Sequence, residues 1–369
     1  MREQIWVWDT ARKMADTIMD THPVVPSKSW SYDTGLLLTG FERLYESTGE
    51  RTYLDYIISY FDQFIQEDGA IQGYDPQEQN LDHMNCGRNL FYLYDKTGEK
   101  RYLKAIHILE SQFQIQPRTK SGVYWHKKRY PNQVWLDGLF MAEPFHARYA
   151  VRFDKPEIWK DILQQFTGAE KLNYEPRCGL YAHACDESRE AFWADPYTGR
   201  SLNVWGRACG WYSMALIDTL ELLPESMVQE KETLSGLLNK LMRNVVLYQN
   251  ADGVWYQVLD NRRSDNYEEA TCTCQFAYTL EKGIRLNVLD RRFYTPYFNR
   301  AMEGISRVFT EETAEGVFLK QCCAVAGLGP EQDTRRNGTL DYYFHEKIRK
   351  NDYKGVGPLL LLETCHLEE

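Results

Sequence analysis

The feature that most constrains this chain is that it repeats itself. Tyr45-Glu46-Ser47-Thr48-Gly49-Glu50-Arg51-Thr52-Tyr53-Leu54 resembles Tyr94-Asp95-Lys96-Thr97-Gly98-Glu99-Lys100-Arg101-Tyr102-Leu103 in spacing and kind. Leu81-Asp82 and Leu136-Asp137 each open a helical stretch, and Tyr94 and Tyr149 follow the two aspartates at the same offset. By the same count Asp33 is the counterpart of Asp82 in the first unit. A unit of this size cannot bury its apolar face alone, so a chain built this way must stack its repeats.

Helix starts are visible near Gly35, Asp82, Asp137, Trp205, Thr273 and Gly355. The stretch 205–222 is apolar on nearly every face, as a helix walled on both sides would be. Each of the first five is followed by a more amphipathic helix, over 52–66, 101–113, 157–166, 231–248 and 294–309. Tyr53, Ile57, Tyr60, Phe61 and Phe64 show the three-and-four spacing of one buried face. After each outer helix comes a Gly and an apolar or aromatic pair: Gly69-Ala70-Ile71, Gly122-Val123-Tyr124, Gly179-Leu180-Tyr181, Gly253-Val254-Trp255 and Gly316-Val317-Phe318. These read as tight turns leading into short strands at one rim. Six inner helices inside five or six outer ones make an all-α (α/α)6 toroid with short rim strands. It is expected to span residues 1–369 as a single domain, because no Pro-, Ser- or Gly-rich spacer divides it.

The formal net charge of −10 argues against a nucleic-acid partner, which requires a basic surface. No apolar run reaches membrane-spanning length, and the first nine residues hold no long apolar signal core. The nine cysteines have no paired metal spacing and read as reduced thiols of a cytoplasmic protein. Neither a metal nor another cofactor is expected.

Asp137 is the only charge in residues 134–142. A carboxylate in such a run is costly to desolvate unless it is paired or used, and burial should push its pKa upward. The competing explanation is an aspartate that caps the helix start. The counterpart Asp82 weighs against it, since the toroid places both aspartates at one end of neighbouring inner helices, at the mouth of the central cavity.

Polar groups in aromatic surroundings flank the pair. His126 and Lys127 precede Trp135, His183 lies on the next rim segment, and Trp205-Gly206-Arg207-Ala208-Cys209-Gly210-Trp211 heads another inner helix. Tryptophan faces suit the C–H faces of sugars, and Arg offers a planar fork for a carboxylate. Two aspartates offer an acid and a base. The inventory describes a pocket for an acidic sugar, although each tryptophan also fits a core position and Arg207 could pair with a structural carboxylate.

At these residues the chain resembles the unsaturated rhamnogalacturonyl hydrolases of glycoside hydrolase family 105, related to the unsaturated glucuronyl hydrolases of family 88. The motifs are Trp135-Leu136-Asp137-Gly138-Leu139-Phe140-Met141, Trp205-Gly206-Arg207-x-x-Gly210-Trp211-Tyr212, and Asn351-Asp352-x-Lys354-Gly355-Val356-Gly357-Pro358. Residues 276–286 and 325–329 also fit, so the resemblance covers nearly the whole chain.

The resemblance implies the (α/α)6 barrel and removal of a 4,5-unsaturated uronic acid from the non-reducing end of lyase-generated oligosaccharides. It implies Asp137 as acid/base and Asp82 as second carboxylate. Tyr32, His126, Lys127, Trp135, His183, Trp205, Arg207 and Trp211 fall at substrate-pocket positions, and either Lys127 or Arg207 neutralises the uronate. The family often has Gly-Asn where this chain has Ala208-Cys209, which bears on local turn geometry and sugar preference. Within the same reading, a family 88-like glucuronyl preference is the alternative. Two rivals share the toroid. A sugar epimerase would use paired histidines where this chain has aspartates, and a non-catalytic carbohydrate-binding ring would need no desolvated carboxylates. Monomer and homodimer are both compatible with the sequence.

Overall fold

The computed structural model describes residues 2–24 and 29–365, so the two ends of the domain expected over 1–369 lie outside the described residues. The helices alternate between two rings. In chain order they are outer α1 (Arg2–Thr21), inner α2 (Tyr32–Thr48), outer α3 (Arg51–Phe61), the inner pair α4 (Asp82–Asn85) and α5 (Gly87–Thr97), and outer α6 (Lys100–Ser111). Inner α7 (Leu136–Arg152), outer α8 (Ile158–Asn173), inner α9 (Gly206–Leu222), outer α10 (Val228–Val245), inner α11 (Ala270–Arg285) and outer α12 (Arg291–Gly304) follow. A short rim helix α13 (Leu340–Phe344) precedes the last inner helix, α14 (Tyr353–Cys365). Inner neighbours pack in sequence, α2 on α4 and α5, then α7, α9, α11 and α14, and α14 returns to α2 to close the ring.

The inner helices α9 and α11 are buried on nearly every side, whereas α3 buries Tyr53, Ile57, Tyr60 and Phe61 and turns Arg51 and Asp55 to solvent. The sequence reading named five outer helices. The further one is α1, whose Ala11, Met14, Ala15 and Ile18 form the buried stripe. The repeated Tyr-to-Gly motif is a helix stop. Gly49 and Gly98 end α2 and α5 in the left-handed conformation, and their N–H groups donate to the Tyr45 and Tyr94 carbonyls.

The rim elements are only partly strands. Four two-stranded antiparallel sheets form: β1 (Gln133–Trp135) with β4 (Ala184–Asp186), β2 (Tyr174–Glu175) with β3 (Leu180–Tyr181), β5 (Thr310–Thr313) with β6 (Gly316–Leu319), and β7 (Cys322–Cys323) with β8 (Ile348–Arg349). Gly179 and Gly316 lead into strands as expected. The segments after Gly69, Gly122 and Gly253 make only isolated bridges, among them Ile65↔Ile71, Arg118↔Tyr124 and Tyr256↔Glu268. All five glycines take positive φ, so the turn is the repeated element. The strand is not repeated, because the chain is drawn off after one or two residues to pair with a helix start instead.

That pairing positions the site. Asn80, just before α4, bridges Lys127 of the next repeat. Trp135, just before α7, pairs with Ala184. Trp205, just before α9, bridges Val258, and the Ala270 N–H at the start of α11 donates to Gln321 at 3.1 Å. The helices α4, α7, α9 and α11 thus enter the mouth held against the following rim segment.

Candidate active site

Acids stand at the mouth ends of the inner helices: Asp33 on α2, Asp82 on α4, Asp137 on α7, Glu269 as the cap of α11, and Asp352 just before α14. Helix N-termini favour negative charge, so this ring is electrostatically cheap. The exception is α9, which carries Arg207 there.

The backbone bridges bring a histidine to each of the two central aspartates. Leu81 N–H donates to the His126 carbonyl at 3.2 Å, and His126 Nε2 lies 3.4 Å from Asp82 Oδ1. Lys127, beside it, is hydrogen-bonded to Asp82 Oδ2. One repeat further, Leu136 N–H donates to the His183 carbonyl at 3.2 Å, and His183 Nε2 lies 3.4 Å from Asp137 Oδ2. Asp137 is not a helix cap, since Trp135 occupies the cap position and no backbone N–H among the described residues reaches the Asp137 carboxylate. Asp82 is not one either, for Leu81 occupies the cap position and the Asp82 carboxylate is held by Lys127.

The expected upward shift at Asp137 is not what the surroundings produce. Burial does push it up, but His183, 3.4 Å away, together with His126 and Arg207, outweighs burial and holds Asp137 below the ordinary carboxylate range. The same balance holds at Asp82, where burial is outweighed by Lys127, His126 and His83. Apolar sequence neighbours alone suggested the opposite sign, because the cations come from rim segments remote in the chain. Burial pushes His126 down to about 4, against the pull of Asp82.

The aromatic residues line this arrangement from behind. The rings of His126 and Tyr130 both stack against Trp135, at 4.6 and 4.9 Å between ring centres. Trp205 carries Arg207 over its ring at 4.5 Å and touches His183 at 4.6 Å. Trp211 stacks on Phe140 at 4.7 Å and meets the edge of Tyr32 at 6.3 Å. These tryptophans are buried, so in the free protein they orient imidazole, guanidinium and phenol groups. The Tyr32 phenol lies within electrostatic reach of Asp82, Arg207, Asp33 and Asp137.

Arg207 is buried, with one guanidinium nitrogen bonded to the Cys323 carbonyl and its Nε unpartnered. Glu269 and Asp352 raise its proton affinity from a distance against the effect of burial, but no ion pair to it occurs among the described residues. Glu269 is committed instead to the Cys272 N–H and to the Cys323 N–H at 2.7 and 2.8 Å. Among the described residues no group of three or more His, Cys, Asp or Glu is arranged to hold a metal ion. No described helix is long and apolar enough to cross a membrane.

Three contributors escaped the sequence reading. Glu269 could have been found by extending the aspartate register to the fifth inner helix. Gln257, which accepts from Trp205 Nε1 at 3.0 Å, and Tyr343, 2.8 Å from His183 Nδ1, carry no such signal.

The sequence model of Glycosyl Hydrolase Family 88 matches residues 10–368. A glycoside hydrolase of family 105 from C. acetobutylicum superposes with a TM-score of 0.93 at 40% identity, over 97% of this chain and 99% of that one. The unsaturated rhamnogalacturonyl hydrolase YesR of Bacillus subtilis is 26% identical over 294 residues, 77% of each chain. The unsaturated glucuronyl hydrolase of Bacillus sp. GL1 shares the fold, with a TM-score of 0.65 at 12% identity over 97% of this chain and 96% of that one.

Proposed function

Because the chain belongs to glycoside hydrolase family 105, related to family 88, we propose that it removes a 4,5-unsaturated galacturonyl residue from the non-reducing end of rhamnogalacturonan fragments left by a lyase. The observation that carries this reading is the pairing of two carboxylates with two histidines beside a buried guanidinium that has no ion pair among the described residues. A uronate supplies the missing anion. Lys127 is already committed to Asp82, which leaves Arg207 as the group that receives the substrate carboxylate. Residues 1–369 act as one catalytic domain, and the protein works in the cytoplasm on small imported oligosaccharides.

The substrate is an enol ether, so the chemistry starts at its double bond and not at the anomeric carbon. Asp137, carrying a proton, delivers it to C4. Positive charge develops at C5 and the ring oxygen. Water adds at C5 and returns a proton to Asp137. The C5 hemiketal opens to a ketone, and the hemiacetal left at C1 expels the aglycone alcohol. Asp137 is ionised in the free protein, so the acid step requires proton uptake on binding. Substrate promotes that uptake by bringing its own negative charge beside Arg207 and by excluding water. Asp82, held by Lys127 and His126, stays ionised and stabilises the developing cation.

The test is a time course of ultraviolet absorbance with unsaturated disaccharides from a rhamnogalacturonan lyase and from a glycosaminoglycan lyase. The conjugated double bond is the chromophore, and hydration bleaches it. Wild type is expected to bleach the first faster. Asp137→Asn is expected to lose about 10²–10⁴-fold or more, and Arg207→Gln to raise KM at least about tenfold through loss of a charge-assisted bond. An active Asp137→Asn would remove the acid/base assignment, and a faster second substrate would move the specificity to glucuronyl sugars.

A further inference from the structure

We infer that Tyr343 is a positioning residue that locks His183 into one tautomer, the one whose Nε2 hydrogen lies on the Asp137 side of the ring. The inference rests on the assignment of Asp137 as acid/base. Both His183 and Tyr343 are fully buried, and they lie 160 positions apart in the chain. Tyr343 Oη is 2.8 Å from His183 Nδ1, and that is the one hydrogen bond of this hydroxyl among the described residues.

A buried phenol keeps its proton and must give it to an acceptor. Burial raises the Tyr343 phenol well above its ordinary range, so it remains O–H throughout. The acceptor available to it is Nδ1. An imidazole that accepts at Nδ1 carries its hydrogen at Nε2, and Nε2 lies 3.4 Å from Asp137 Oδ2. Asp137 Oδ2 is shielded from solvent. The Nε2 hydrogen then lies on the side of the ring that faces the Asp137 carboxylate.

The rim holds Tyr343 in place for this. Its helix α13 is capped by Thr339, whose hydroxyl receives the Tyr342 N–H at 3.3 Å. The Tyr343 carbonyl accepts from Gln257 Nε2 at 3.1 Å, and Gln257 also receives the Trp205 indole N–H. The segment before α14 thus reaches across the mouth and completes the Asp137 environment. The other tautomer would set the lone pair of Nε2 against the carboxylate, which repels it when ionised and draws the proton onto Oδ2.

The experiment is long-range ¹H–¹⁵N correlation on histidine-labelled protein, with His183 assigned by its loss in His183→Gln, alongside kinetics of Tyr343→Phe. Wild type is expected to show His183 as the Nε2–H tautomer, and Tyr343→Phe a tautomer mixture. Tyr343→Phe is expected to lower kcat at least about tenfold with KM within about twofold, because the hydroxyl touches no substrate. His183 found as Nδ1–H in wild type overturns the inference whether or not the variant folds. So does a Tyr343→Phe enzyme with unchanged kcat. Failure of the Asp137 assignment would show separately, as activity in Asp137→Asn with the His183 tautomer still fixed.

Discussion

At the scale of single residues, the two central aspartates illustrate how a local reading can identify a group and still mistake its charge state. Asp137 stands out in the sequence because nothing around it is charged, and that isolation implies an elevated pKa. In the fold, His183 and Arg207 reach it from other repeats and reverse the sign. The reversal has a kinetic consequence. The profile of kcat/KM against pH reports the free enzyme, and that of kcat reports the complex. If the reaction needs Asp137 protonated, kcat/KM falls as pH rises through the depressed pKa of the free enzyme. The bound uronate raises that pKa, so the fall in kcat is expected at higher pH. Coincident limbs would show that substrate does not bring the proton. Tyr32, His126, Lys127, Trp135, His183, Trp205, Arg207 and Trp211 all gather around the aspartates, yet the sequence did not show that the tryptophan faces are already occupied by protein groups.

At the scale of elements, α7 shows how a helix can carry a proline and still position a reactive group. Pro144 has no N–H, so the Phe140 carbonyl one turn back loses its helical donor. Asn85 of α4 supplies one, with its side-chain amide 3.2 Å from that oxygen. The bond ties the helix that begins with Asp82 to the helix that carries Asp137. Asn85→Ala is expected to cost about 1–3 kcal/mol, the penalty of a buried unsatisfied carbonyl, and to lower kcat through the displaced pair. A denaturation midpoint equal to wild type would show that the carbonyl finds another donor. Close approach between elements is set in the same manner. A Cβ at Gly357 of α14 would lie 3.1 Å from the Leu36 carbonyl carbon of α2, so the ring closes where side chains are absent. The alternation of helices, their apolar faces and the glycine stops were legible along the chain, since these depend on neighbours within a few residues. The partner of Pro144 was not, because Asn85 is 55 positions from Phe140.

At the scale of the whole molecule, charge is sorted between the two ends of the ring. The mouth collects helix-start carboxylates. Further along the helices, Asp218 of α9 binds Arg88 of α5 at 2.8 Å and Lys282 of α11 at 2.7 Å. Burial of Asp218 is outweighed by these cations, which hold it well below the carboxylate range. Glu42 of α2 lies on the opposite side of this balance. Burial pushes it up to about 7, despite the Asn89 amide 2.6 Å away and the arginines at 148, 43 and 88. A carboxyl whose folded pKa is raised contributes its full stability below the unfolded value, and that contribution is lost as pH rises to the folded value. Glu42 thus weakens the fold from about pH 4.5 to 7. Glu42→Gln is expected to gain up to about 3 kcal/mol at pH 8 and nothing at pH 4. Equal unfolding free energies of variant and wild type at pH 8 would show that Glu42 folds ionised.

The sequence alone determined what depends on spacing: the repeat, the two alternating helix types, and the aspartate register that put Asp82 and Asp137 on equivalent helix starts. Those features follow from helical periodicity and turn chemistry, which act over a few residues. Tertiary structure alone decided the ionisation of Asp137, the absence of an ion pair to Arg207 among the described residues and the contact of Tyr343 with His183. Each of these is set by groups that meet only when the ring closes, and electrostatic interaction in a buried chamber depends on distance through space and not on separation along the chain.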